Sequence, residues 1–143
     1  MSWGADFQKG SEAYKNGDYA TALREWEPLA KQEDARAQYN LGIMYEHGKG
    51  IPQDNKTAVQ WYRLAAEQGY ANAQYNLGLM YGLGQGVIQD NVYAHVWWNI
   101  AASQGIKSAT KNRDIVAGRM TPAQIAEARK LSRECVKKNY KGC

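Results

Sequence analysis

Scarcity narrows the function of this chain before any motif is read. Two cysteines and two histidines in 143 residues are too few for a zinc site, because His47 and His95 have no second histidine or cysteine at metal-ligand spacing. No metal and no other cofactor are expected. No Ser-His-Asp arrangement is suggested by the spacing either. No run approaches the ~18 to 20 consecutive apolar residues needed to span a bilayer. The opening M-S-W-G-A-D-F-Q-K-G has no apolar stretch of the signal-peptide kind, so the chain as written reads as soluble with no membrane span, which leaves room for a leader removed beforehand. A single Phe stands against ten Tyr and five Trp, and aromatics with a polar edge suit half-buried surfaces.

In bulk the chain is ordinary. Apolar residues make up 44% and charged residues 22%, and the length suits one continuous core, hence a single domain over 1–143. The net charge of +4 is unevenly held: residues 1–106 carry 8 basic and 11 acidic side chains, whereas 107–143 carry 10 and 3. Arg129, Lys130, Arg133, Lys137 and Lys138 are spread around a terminal helix and form no single stripe. That fits a solvated cap better than a nucleic-acid surface, and no nucleic-acid partner is expected.

The repeat is the strongest feature. Aligning 37–72 with 73–108 gives 19 identities in 36 positions without a gap, and a fixed period of about 20 to 50 residues marks a solenoid. Each copy holds a glycine-rich loop, H-G-K-G-I-P-Q-D-N at 47–55 and L-G-Q-G-V-I-Q-D-N at 83–91. A phosphate loop needs Lys and Ser or Thr directly after its last glycine. Here Ile51-Pro52-Gln53-Asp54 and Val87-Ile88-Gln89-Asp90 follow, and an acid at the helix start repels phosphate. The loops are therefore punctuation. Gly48 and Gly84 end one helix, Asp54 or Asn55 and Asp90 or Asn91 cap the next, and Gly69 and Gly105 end it.

Between these stops the apolar spacing is helical. Ala37, Leu41, Met44 and Tyr45 share a face, as do Ala58, Trp61, Ala65 and Ala66, so each copy is a helix pair with Trp61, Trp97 and Trp98 in the core. A degenerate unit precedes them, from Gly10, Ala13 and Tyr14 to Trp26 and Leu29, with a central loop five residues shorter on matching Tyr14 to Tyr45. After them Ala109, Asn112 and Met120 suggest a further first helix, and Thr121-Pro122 opens a last one to about Asn139. The spacing predicts an all-α chain of seven helices and no strands.

The shared pattern A-x-x-N-L-G-x-M-Y-x-x-G-x-G-[IV]-x-Q-D-x-x-x-A-x-x-W-[YW]-x-x-A-A-x-Q-G resembles the Sel-one-like repeat, a branch of the tetratricopeptide superfamily with a longer loop inside each helix pair. The resemblance covers about residues 7 to 120. It divides the chain into a tetratricopeptide-like unit at 5–36, repeats at 37–72 and 73–108, and capping helices at 109–143. It implies a right-handed superhelical α-solenoid of antiparallel helix pairs, a non-enzymatic adaptor that binds a protein or peptide in its concave groove. Some relatives act as immunity or inhibitor proteins, and a monomer or weak homo-oligomer is expected.

In that superfamily the first helix of each pair lines the groove. Carried over, this implies Arg36, Tyr39, Asn40 and Ile43, then Asn72, Tyr75, Asn76 and Leu79, with Lys111, Asn112 and Ile115 continuing the series. Asn offers a peptide backbone one acceptor and two donors, and Tyr gives rigid contact area. The same residues can instead pack and hydrogen-bond within the scaffold. Cysteine-rich relatives, whose ending resembles R-E-C-x7-C here, staple their turns with disulfides. That implies a Cys135–Cys143 bridge and an oxidising compartment, periplasmic or secreted; free thiols and a cytoplasmic location are the alternative. Some such relatives are associated with β-lactam binding or hydrolysis, which makes an enzyme or binder of that type the alternative function. No S-x-x-K nucleophile of that chemistry is expected.

Overall fold

Acids set most of the helix starts. The computed structural model describes residues 4–143, so the expectation about the opening segment falls partly on Met1 to Trp3, outside the described residues. The helices are α1 (Phe7–Lys15), α2 (Tyr19–Lys31), α3 (Ala35–His47), α4 (Asn55–Ala66), α5 (Ala71–Leu83), α6 (Asn91–Ser103), α7 (Lys107–Ala117) and α8 (Pro122–Lys137). Asp6, Asp18, Asp34, Asp54 and Asp90 each accept first-turn N–H groups of α1, α2, α3, α4 and α6. These are donors that no carbonyl inside the helix can reach. Thr121 and Gln124 form a capping box at α8, with Pro122 as its first residue. Gly48 and Gly84 end α3 and α5 in the left-handed conformation, at φ 64° and 69°. Among the described residues there is no strand. The expected seven helices are one short, because the degenerate first segment is a complete pair whose opening helix has its own cap in Asp6.

The chain forms two compact units, one ending at Ala65 and the other beginning at Ala66. In the first, Ala22, Trp26, Ala30, Ala37, Leu41 and Met44 make the core, with Phe7, Tyr14, Tyr19 and Trp61 packed against it. In the second, Ala73, Leu77, Met80, Val96, Trp97, Ile100, Ala101 and Ala109 are buried. Alanines without any exposed surface recur in both units; a methyl group where helices meet lets axes approach closely, while each buried large side chain stabilises by roughly 1.5–3 kcal/mol.

Two devices repeat inside the units. Buried Gln38 donates from Nε2 to the carbonyl of Ala30, and buried Gln74 does the same to Ala66, both at 3.1 Å. Each adds a second donor to a last-turn carbonyl that also accepts a backbone N–H from the following turn, Glu33 N at Ala30 and Gly69 N at Ala66. The second device is a ring seated over a glycine. A Cβ built on Gly10 would lie 2.4 Å from the Trp26 ring, one on Gly42 2.4 Å from Tyr62, and one on Gly78 2.5 Å from Trp98. Trp26 Nε1 then donates to the Phe7 carbonyl and Trp98 Nε1 to that of Tyr75, both at 3.1 Å. Phe7 and Gly10 thus correspond to Tyr75 and Gly78. On that correspondence the loop of the first pair is four residues shorter than the others rather than five, since glycine and ring stand 16 apart there and 20 apart in the later pairs.

At the end of the second unit, Cys135 and Cys143 are joined, with Cα atoms 5.6 Å apart. The tail folds back: Gly142 N donates to Glu67 Oε2 at 2.9 Å, and the Tyr140 ring sits against Gly69. Asn139 and Tyr140 both take positive φ, 52° and 67°, a conformation costly to non-glycine residues.

Candidate functional site

Each unit carries a groove between the first helices of its two pairs, floored by the tryptophan seated over a glycine. In the first unit, Tyr14 and Lys15 of α1 face Asn40 and Ile43 of α3 across a cavity of about 180 Å³ above Trp26. In the second, Leu79 and Leu83 of α5 face Asn112 and Ile115 of α7, and Arg119 just beyond its end, across about 210 Å³ above Trp98. Gly10 and Gly78 make these floors possible, because any side chain there would lift the ring. The walls of the second groove are apolar and open to water: Leu83 is 65% exposed and Ile115 50%. Exposed aliphatics facing each other with an amide and a guanidinium at the edge are chemistry for holding a peptide or protein segment.

The residues expected to line a groove divide. Asn40, Ile43, Leu79, Asn112 and Ile115 line one. Arg36 is engaged elsewhere. Its guanidinium pairs with Asp34, at 2.9 Å from Nη2 to Oδ2 and 3.2 Å from Nε to Oδ1, and lies 4.1 Å over the Phe7 ring. The bond from Arg36 is the main reason the Asp34 carboxyl is held below the ordinary range. Tyr39 packs inside the first unit, its ring 6.0 Å from that of Tyr62. Tyr75 is half-buried and its hydroxyl accepts from Asn112 Nδ2 at 3.2 Å, so both members of that pair serve the scaffold as well as the edge of the groove. Asn76 is half-buried, while Asn72 and Lys111 are exposed; none of the three lines either groove.

Sequence reasoning missed Tyr14, Lys15, Leu83 and Arg119 as groove residues. Leu83 lies one turn beyond Leu79, and Arg119 follows Ile115 by the same interval, so extending the inner-face spacing by one turn would have found them. Trp98 is buried as expected of a core residue, yet one face of its ring forms a floor.

The alternative chemistry finds little support in the geometry. The string Ser108-Ala109-Thr110-Lys111 does have the S-x-x-K spacing, contrary to expectation. It occupies the first turn of α7 with Ser108 and Lys111 both exposed, whereas such a nucleophile works where water is excluded and a base is held against it. His95 is buried, at 3% exposed, and its Nδ1 has no hydrogen-bond partner. Burial, then the charges of Arg113 and Arg129, push its pKa down. Among the described residues, no group of three or more His, Cys, Asp or Glu is arranged to hold a metal ion, and no helix is long and apolar enough to cross a membrane.

Comparison with known proteins agrees with the repeat geometry. The family model described as Sel1 repeat matches residues 35–70 and 71–106. Those bounds start at the first residues of α3 and α5, two positions ahead of the frame in which the sequence repeat was aligned. Among solved structures, c5321, a protective antigen of uropathogenic Escherichia coli strains with an SLR fold, is 30% identical with a TM-score of 0.85, covering 92% of this chain and 30% of that one. A Sel1 repeat protein from Oxalobacter formigenes is 36% identical with a TM-score of 0.73, covering 76% and 44%. Among curated proteins, DAP3-binding cell death enhancer 1 of Rattus norvegicus is 46% identical over 50 residues. Its Mus musculus counterpart is 44% identical over 50 residues. The match covers 35% of this chain, and the chain spans 10% of the length of either relative.

Proposed function

The chain belongs to the Sel1 repeat family, whose members are generally protein–protein interaction modules, and on that premise we propose that it is a non-enzymatic binding module holding a protein or peptide segment in its first-helix grooves. The observation that carries this reading is the pair of opposed, solvent-facing aliphatics Leu83 and Ile115 over the Trp98 floor. Apolar side chains of a partner fill the space between them, and Asn112 and Arg119 at the edge fix the partner's polar groups. Asn40 and Ile43, with Lys15, serve the smaller groove of the first unit in the same way.

The test is affinity capture from the native source with the wild-type chain and with Leu83→Ser plus Ile115→Ser. Both side chains are exposed, so helical content should be unchanged, while the captured partner is lost or bound at least tenfold more weakly. Equal recovery by the double variant would remove the groove from consideration. The bridged pair Cys135–Cys143 supports placing this activity in an oxidising compartment, periplasmic or extracellular.

A further inference from the structure

A cavity of about 490 Å³ in the second unit lies between α6, α7 and α8, with a lining that shares no residue with the α5–α7 groove. Its floor is apolar, from Ile100, Ala102 and Val136, and Val136 is 49% exposed. Its rim carries Arg113, Arg133 and Lys137, and no carboxylate is among the residues that line it. Arg133 and Lys137 are one helical turn apart on α8, and Arg129 stands one turn before them, so like charges repel along that row. The sequence spreads basic residues around α8; folding gathers two of them beside Arg113. Arg113 is held in place by Asn99, whose Oδ1 accepts from Nη1 at 3.0 Å, and by its neighbour Asp114 at 3.1 Å.

We propose that this cavity docks an acidic amphipathic segment of a partner protein, with aliphatic side chains on Ile100 and Val136 and carboxylates on Arg133 and Lys137. Charge complementarity selects the partner: residues 107–143 carry 10 basic and 3 acidic side chains, and opposed potentials steer association as well as hold it. The same charge attracts nucleic acid, but the lining includes no aromatic or histidine ring on which a base could stack. The apolar floor favours aliphatic side chains instead.

Fluorescence anisotropy with three labelled probes tests this. They are a peptide with leucines on one face and glutamates on the other, its lysine-for-glutamate counterpart, and single-stranded oligothymidine. The expected result is saturable binding of the glutamate peptide alone, weakening as salt rises. Arg133→Gln with Lys137→Gln should weaken it about tenfold. Both side chains are exposed, and unchanged circular dichroism confirms that the variant is folded. Leu83→Ser with Ile115→Ser should leave this binding intact, which separates the cavity from the α5–α7 groove. The proposal is overturned by no saturable binding of the glutamate peptide, by equal affinity in the Arg133/Lys137 variant, or by tighter binding of the lysine peptide or oligothymidine.

Discussion

His95 shows at the scale of one residue how burial becomes a pH dependence. The groups facing it include Arg113 and Asp114 of α7 and Arg129 of α8, and burial and the two guanidinium charges lower its pKa, while Asp114 opposes weakly. A base whose pKa is lower in the folded chain binds fewer protons there than when unfolded, between the two values. Stability is therefore intact above the unfolded value of about 6.5 and falls as pH drops through that point toward the folded one. Thermal melts between pH 7.5 and 5 should show a falling Tm on the acid side. His95→Gln should flatten that limb and His47→Gln, at an exposed position, should not; a wild-type Tm that holds constant from 7.5 to 5 contradicts the assignment. The sequence gives no warning of this. The position aligned with His95 is Val59, also buried, so the apolar site is legible from the repeat, but the histidine's orphaned nitrogen is visible only in the packing.

Between helices, magnitudes decide what Gly78 is for. Replacing a mid-helix glycine by alanine ordinarily stabilises by roughly 0.5–1 kcal/mol. Here the new Cβ would meet the Trp98 indole at 2.5 Å, and overpacking of that kind costs about 1–3 kcal/mol. Gly78→Ala should thus be net destabilising by ~1–2 kcal/mol and shift the tryptophan fluorescence; a variant as stable as wild type would show that the ring yields freely. Helix ends were the most readable elements, because Asp54, Asp90, Gly48, Gly84 and Thr121-Pro122 act through local chemistry that needs no partner. The starts of α5 and α7, capped by no side chain, carry no such mark. Groove residues were readable where the 36-residue spacing placed them on the inner face, as for Asn40, Leu79 and Asn112. The same spacing includes Tyr39 in the series, and it does not reveal that the paired helix offers it the Tyr62 ring.

Across the whole molecule, the repeat announced the all-α class, and the distribution of charge announced a distinct carboxyl-terminal segment. The tail's path could not be read, because its contacts with Glu67 and Gly69 link residues about 75 apart that follow no repeat. The Cys135–Cys143 bridge closes a short loop, and breaking it should cost roughly 2–3 kcal/mol on the chain-entropy account. Cys143→Ser should keep the helical circular dichroism signal while lowering the Tm, and backbone amides after Lys138 should lose hydrogen-exchange protection. Identical melting with and without reductant, in a sample shown by intact mass to be bridged, would count against that role.

The rings seated over glycines also govern how such a chain can change its length. A residue inserted in α5 between Tyr75 and Gly78 turns everything beyond it by about 100°, so the notch no longer faces Trp98 and the indole N–H loses its carbonyl. A residue added to the loop after Gly84 rotates nothing in either helix. Insertions and deletions should therefore be tolerated in the loops and rejected inside the helices, as the four-residue difference between the first pair and the later ones already illustrates.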